Sequence, residues 1–268
     1  MSSLERRAAI DAARAAGQLV RDARAGARQI VYKGAPTNLV TEMDARAEAL
    51  VLDRLAQAFP ADAVLAEEGG ARSGTSGRRW IIDPLDGTTN YAHGVPMYAV
   101  SIALEHAGEV VLGVIFDPSH DELFVAERGA GASLNGRPLA VSSAAVLDEG
   151  LLATGFPYDI RDTRDTNLSE YAAFSLRTRG VRRMGSAALD LAYVAAGRLD
   201  GYWELRLGPW DAAAGALLVE EAGGRITNLD GGRLDLEAPS VVASNGLIHE
   251  AMLHVLREIR SAPRSGDG

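Results

Sequence analysis

The order of predicted elements argues for a layered α+β fold. Three observations carry this. Residues 3–25 and 42–59 read as helices, residues 97–127 read as three consecutive strands, and beyond residue 150 short strands alternate with helices. With no internal repeat and no low-complexity linker, residues 1–268 are read as one domain: an α+β part over about 1–140, an α/β part over about 150–260, and a tail at 261–268.

The first helix is Ala- and Arg-rich, with Leu4, Ile10, Leu19 and Val20 among its apolar positions. Residues 26–38 contain KGAPTN and read as a turn or loop. Thr41 then caps the second helix with Asp44 at the capping-box position, and Pro60 closes that helix. Residues 64–66 form a short strand ending in Glu67-Glu68-Gly69-Gly70, followed by a Gly/Ser/Arg-rich loop at 71–79. Residues 97–106, 109–117 and 122–127 form an antiparallel meander, and Asn135-Gly136 marks a further turn. A strand at 151–154 precedes a polar helix at 163–178, whose apolar set is Leu168, Tyr171, Phe174 and Leu176. Strands at 181–184, 199–205 and 241–244 alternate with helices at 185–196, 210–222 and 247–259. Gly223-Gly224 terminates the middle one of these helices.

Hydrophobic content of 47% and charged content of 24% are ordinary for a soluble globular chain. The net charge of −9 argues against general nucleic-acid affinity and requires local compensation at any anion site. There is no Cys, so neither disulfides nor thiolate metal sites are available, and a reducing cytoplasm is the expected compartment. Neither a signal-peptide core nor a run of membrane-spanning length is seen, so no membrane partner is expected.

The chemistry concentrates in residues 80–90, WIIDPLDGTTN. The apolar run Trp80 to Ile82 reads as a buried strand. Asp83 and Asp86 flank Pro84, which lacks an N–H and is expected to stop the strand. Gly87 frees the backbone to turn, and Thr88, Thr89 and Asn90 all suit the cap of a following helix. A helix mouth attracts anions, and carboxylates beside it repel them unless a cation lies between. The stretch therefore points to a metal-dependent site for a phosphorylated substrate; taken alone, Asp-Pro-x-Asp-Gly is equally a competent turn.

Other acids also stand at element ends: Glu67 and Glu68 after a strand, Asp44 in an early helical turn, Asp211 in the first turn of another helix. Oxygen donors of this kind suit hard cations such as Mg²⁺, whereas no His/Cys zinc pattern is present. Each acid has a plain alternative. Glu67-Glu68 is also a solvated turn, and Asp211 is favoured by the helix dipole alone. Lys33 reads as a surface lysine, His249 and His254 as solvent-facing, and His93 as structural. Serine-hydrolase and P-loop signatures are absent.

Five segments share a further property. Residues 66–69 (AEEG), 80–93 (WIIDPLDGTTNYAH), 155–157 (GFP), 185–188 (GSAA) and 210–224 (WDAAAGALLVEEAGG) together resemble the inositol monophosphatase family, bacterial members most, over about residues 5–258. The resemblance implies an αβαβα sandwich of the inositol monophosphatase and fructose-1,6-bisphosphatase type, usually a homodimer. It implies a phosphoric monoester hydrolase that is inhibited by lithium and uses two to three Mg²⁺ ions. Glu67, Asp83 and the Leu85 carbonyl would hold the first ion; Asp83, Asp86 and Asp211 the second; Glu67 would help hold a third through waters. Gly87 and Thr88 N–H groups would bind phosphate, and the Thr88 hydroxyl, oriented by Asp44, would position the attacking water together with Glu67. Lys33 matches a loop lysine near the metals, Glu204 would accept inositol hydroxyls, and Ala187 and Asp86 would touch the sugar ring.

The implied reaction is hydrolysis of inositol-1-phosphate to inositol and phosphate. Sister substrates are fructose-1,6-bisphosphate, histidinol phosphate and a 3′-phosphonucleotide; Thr89-Asn90 argues against the nucleotide, and Glu204 argues for a polyol. A regulatory protein that keeps the fold and binds a macromolecular partner is the alternative from another class, which the intact acidic set disfavours.

Overall fold

Alanines at helical spacing build the outermost layer. In the computed structural model, which describes residues 3–24, 30–32, 39–238 and 240–261, helix α1 (Ser3–Ala23) buries Ala9, Ala12, Ala13, Ala16 and Val20. Strands β1 (Ile30–Tyr32) and β2 (Leu39–Thr41) pair as an antiparallel ribbon that leads into α2 (Glu42–Ala58), which packs on α1. The expected capping box is present: Met43 N–H donates to the Thr41 hydroxyl, and Thr41 N–H donates to Asp44 at 2.8 Å.

The second layer is an eight-stranded sheet. Its strands are β3 (Ala63–Ala66), β4 (Gly70–Arg72), β5 (Arg78–Asp86), β6 (Ala99–His106), β7 (Glu109–Asp117), β8 (Glu122–Glu127), β9 (Gly131–Leu134) and β10 (Arg137–Pro138). They lie in the order β10-β9-β8-β7-β6-β5-β3-β4, and only the β3/β5 pair is parallel. The predicted meander is β6-β7-β8. The loop expected at 71–79 is shorter, because β4 folds back on β3 and β5 already begins at Arg78. A six-residue helix, α3 (Thr88–His93), follows β5.

The third layer explains an unusual composition. Helix α6 (Pro209–Glu221) is apolar all round, with every residue from Ala212 to Val219 buried, because it lies between two sheets. Helix α5 (Ala187–Ala195) runs beside it. Beyond them a five-stranded sheet carries β11 (Leu151–Thr154), β12 (Gly180–Arg182), β13 (Gly201–Glu204), β14 (Arg225–Thr227) and β15 (Val241–Ser244) in the order β12-β11-β13-β15-β14. Strand β11 runs parallel to both its neighbours, and the other pairs are antiparallel. Helices α4 (Leu168–Ser175) and α7 (His249–Ser261) cover its far face. The order is α–β–α–β–α, as the resemblance implies.

Two local expectations fail for tertiary reasons. The helix expected at 163–178 is only α4, and Leu168 and Leu176 are exposed rather than part of an apolar face. Asn167 is held before it in a left-handed turn. Its amide donates to the Thr154 hydroxyl and Gly155 carbonyl and accepts from the Trp203 indole, so the helix starts only after it. His249 is fully buried, not solvent-facing, between the hydroxyls of Thr227 at 3.0 Å and Ser244 at 2.9 Å. Burial lowers its pKa to about 4, so the imidazole is neutral. Thr227 comes from β14, a three-residue strand with no periodicity to reveal it.

Candidate active site

Pro84 does not stop β5; it sits in an irregularity of that strand. Asp83 lies opposite Ser101 of β6 and Asp86 opposite Ala99, so three steps on β5 (83 to 86) face two on β6 (101 to 99). One extra residue is a β-bulge, where a missing N–H forfeits no regular ladder bond. Side chains three apart on a regular strand point to opposite faces. The bulge removes that opposition, and one carboxylate oxygen each from Asp83, Asp86 and Asp211 lie within 4.8 Å of one another.

Each acid is held by its own backbone surroundings. Asp83 accepts from Leu85 N–H at 2.9 Å. Asp86 accepts from Ala188 N–H at 2.8 Å and from the Ser186 hydroxyl, which also caps α5. Asp211 stands in the first turn of α6 and accepts from Gly208 N–H at 2.6 Å. Glu67 follows β3, which lies parallel beside β5; its N–H donates to the Ile82 carbonyl at 3.2 Å, placing it at the same sheet end as Asp83.

Burial raises the pKa of Asp83 well above the carboxylate range, and the charges of Glu67, Asp86 and Asp211 raise it further. Burial likewise raises Asp211 well above that range, with Asp86 and Glu67 adding to it. Asp86 is raised by burial against the opposing hydrogen bonds from Ser186 and Ala188. Carboxyl groups this close need protons or a cation among them. The donors are all oxygens, which fits a hard divalent ion such as Mg²⁺.

Beside the cluster, the Thr88 hydroxyl lies 2.8 Å from Asp44 and 3.0 Å from the Leu85 carbonyl. Asp44 thus closes the α2 capping box with one oxygen and fixes Thr88 with the other. Burial raises its pKa, against the hydrogen bonds from Thr41 and Thr88. Thr88, Thr89 and Asn90 are not the helix cap. Gly87 is, at φ +93°, where a Cβ would stand 2.8 Å from the Met97 carbonyl oxygen. The Asn90 side chain instead donates to the carbonyls of Met97 and Met184, tying the two halves of the chain together. Because α3 is only six residues long, its dipole adds little, and the local N–H groups are what remain for an anion.

A cleft of about 280 Å³ runs from Asp86 and Asp211 to Glu204 and is lined by Ala187, Ser186 and Gly155. Glu204 ends β13 and accepts from the Tyr202 hydroxyl at 2.5 Å. A Cβ on Gly155 would come within 2.0 Å of the Glu204 carboxylate, so a side chain here would push that carboxylate aside. Burial raises the Glu204 pKa to about 7. Of the sequence-predicted residues, Asp86, Ala187, Glu204 and Asp211 line the cleft. Asp83 meets Asp86 and Asp211 at its acidic end, Glu67 stands at the same sheet end as Asp83, and hydrogen bonds join Leu85 to Asp83 and Thr88 to both Leu85 and Asp44, with Gly87 just before Thr88. Lys33 lies outside the described residues, and His93 is exposed at the end of α3. Sequence reasoning missed Ser186 as the group fixing Asp86, and Tyr158, Arg183 and Asp190 as cleft-lining residues. The GFP and GSAA segments were the available signal.

The model of the "Inositol monophosphatase family" matches residues 3–261. The chain belongs to the inositol monophosphatase family. An inositol-1-monophosphatase of Mesorhizobium japonicum is 47% identical to it over 87% of this chain and 88% of that one. A Nus factor SuhB of Escherichia coli is 43% identical over 93% of this chain and 94% of that one. The solved inositol monophosphatase of Anabaena (Nostoc) superposes with a TM-score of 0.87 at 44% identity, covering 96% of each chain. As a member of this family, the protein is a phosphoric monoester hydrolase with the family's layered sandwich.

Proposed function

We propose that the protein is a Mg²⁺-dependent phosphatase of inositol-1-phosphate. The observation that carries this is the meeting of Asp83, Asp86 and Asp211 oxygens within 4.8 Å at one end of a cleft whose other end holds Glu204. Glu67, Asp83 and the Leu85 carbonyl would hold one ion, Asp83, Asp86 and Asp211 a second, with Glu67 near a third. Bound there, Mg²⁺ supplies a nucleophilic water and neutralises the leaving oxygen.

The chain's own residues supply position. Asp44 and the Leu85 carbonyl fix the Thr88 hydroxyl, which with Glu67 orients the attacking water. Backbone N–H groups at Gly87 and Thr88 take phosphate oxygens, and phosphoryl transfer asks for little more than such placement and charge. At the far end Glu204, held by Tyr202, accepts hydroxyls of a polyol, and Ala187 and Asp86 border its ring.

The protein acts as a cytoplasmic homodimer in this reading; among the described residues no helix is long and apolar enough to cross a membrane. The relatives named Nus factor SuhB favour a second reading, a role in binding a macromolecular partner beside catalysis. Substrate choice is tested by comparing kcat/KM for inositol-1-phosphate, fructose-1,6-bisphosphate, histidinol phosphate and a 3′-phosphonucleotide. The first is expected to lead, and a lead by any other reassigns the substrate.

A further inference from the structure

Asp190 is a buried acid in the cleft with no part in the roles above. It stands on α5, is 1% exposed, and its Oδ1 has no hydrogen-bond partner among the described residues. Buried carboxylate oxygens are almost always paired, because losing water without a partner is costly. Its neighbours on α5, Leu189 and Leu191, are fully buried and carry no such cost, so packing alone gives no reason for an acid here. The side chain lines the same cleft as Glu204, Asp86 and Arg183. Burial holds its pKa well above the carboxylate range; Glu204 and Asp86 raise it further, while Arg183 pulls it down.

We infer that Asp190 is a specificity residue whose unpaired oxygen accepts a hydroxyl of the substrate, beside the hydroxyl taken by Glu204. The inference rests on the polyol-phosphate reading of the site. With the phosphate at the Asp86 and Asp211 end, a ring bearing several hydroxyls occupies the cleft toward Glu204. A carboxyl at Asp190 then gives a second acceptor, and the substrate supplies the partner that Oδ1 lacks among the described residues. The chemical class favoured is a phosphate monoester with at least two free hydroxyls on its alcohol part. A plain alkyl or aryl phosphate engages neither acid.

The test compares wild type with Asp190→Asn and Asp190→Ala on inositol-1-phosphate and on 4-nitrophenyl phosphate, with Mg²⁺ present throughout and thermal unfolding of each protein recorded. Loss of one hydrogen bond to the substrate predicts a fall of about tenfold in kcat/KM on inositol-1-phosphate for Asp190→Ala, carried mainly by KM, and a smaller fall for Asp190→Asn, whose amide oxygen still accepts. The rate on 4-nitrophenyl phosphate is expected to stay within about twofold, and the substrate-free variants to melt no lower than wild type, since an unpaired buried acid is removed. A wild type that prefers inositol-1-phosphate, beside variants that lose nothing or lose equally on both esters, overturns this inference alone. Variants that fail to fold overturn it too, by making Asp190 a folding residue. A wild type with no preference between the esters overturns the polyol reading, and this inference with it.

Discussion

The wall of the cleft that carries Glu67, Asp83 and Asp86 and the wall that carries Gly155, Ala187 and Glu204 come from different halves of the chain. The first is made at one sheet end, where β3 ends beside the longer parallel β5 and a bulge in β5 turns two acids the same way. Its acids repel one another and are restrained by short backbone hydrogen bonds. The second is assembled from the ends of β11 and β13 and the start of α5, with one glycine making room for one carboxylate. Charge dominates the first wall and shape the second. Changes on the first should therefore strike all phosphate esters alike, and changes on the second should depend on the alcohol.

The largest effect is expected from Asp83→Asn. It should lower kcat about a thousandfold or more on every ester, as loss of a centrally placed charge does, while the far-ultraviolet circular dichroism stays native. A loss confined to inositol-1-phosphate would erase the contrast between the walls. Thr88→Val keeps the side-chain shape and removes the hydroxyl held by Asp44. It should cost about a hundredfold in kcat with little change in KM, a range typical of losing one positioned polar group, and stopped assays on two esters would read it.

Gly155→Ala tests the second wall. The added methyl meets only the carboxylate end of the Glu204 side chain, not backbone, so stability should barely move. The predicted loss is in kcat/KM on inositol-1-phosphate, roughly tenfold to a hundredfold if the Glu204 hydroxyl contact goes, with 4-nitrophenyl phosphate spared. Equal losses on both would show that the two walls are not separable.

The smallest effect is on stability. Glu204 has its pKa raised from 4.5 to about 7, so the folded state binds its proton more tightly than the unfolded chain does. The stability tied to that proton is fully present below pH 4.5 and is lost as pH rises through 7. Glu204→Gln should match wild type in Tm at pH 4 and exceed it by roughly a few degrees at pH 8. A variant that melts lower at pH 8 would contradict the burial argument.

The two walls also differ in how far the sequence reveals them. Asp83, Asp86, Gly87 and Thr88 lie within six residues, so spacing alone suggests their joint use. Even there the local physics is different: Pro84 sits in a bulge of β5 instead of ending it, and Gly87 caps α3 where Thr88, Thr89 and Asn90 all suit the cap. Both outcomes depend on β6 and Asp44, which lie outside the stretch. On the other wall, Glu204 and Gly155 are 49 positions apart (204 − 155), and nothing local says that one leaves room for the other. The fold divides similarly. The meander and the α2 capping box are written in apolar runs between turn signals and in cap chemistry. The buried place of His249 and the short α4 depend on Thr227, Ser244 and the Thr154–Asn167–Trp203 network, partners set only by the folded chain.

The acid cluster as a Mg²⁺ centre is the central claim, and adding the ion back tests it most directly. Protein stripped with chelator is assayed on inositol-1-phosphate as free Mg²⁺ is raised. No hydrolysis before addition, and a saturable return of rate that Asp83→Asn fails to show, is the predicted result. Full hydrolysis by wild type in excess EDTA would contradict it.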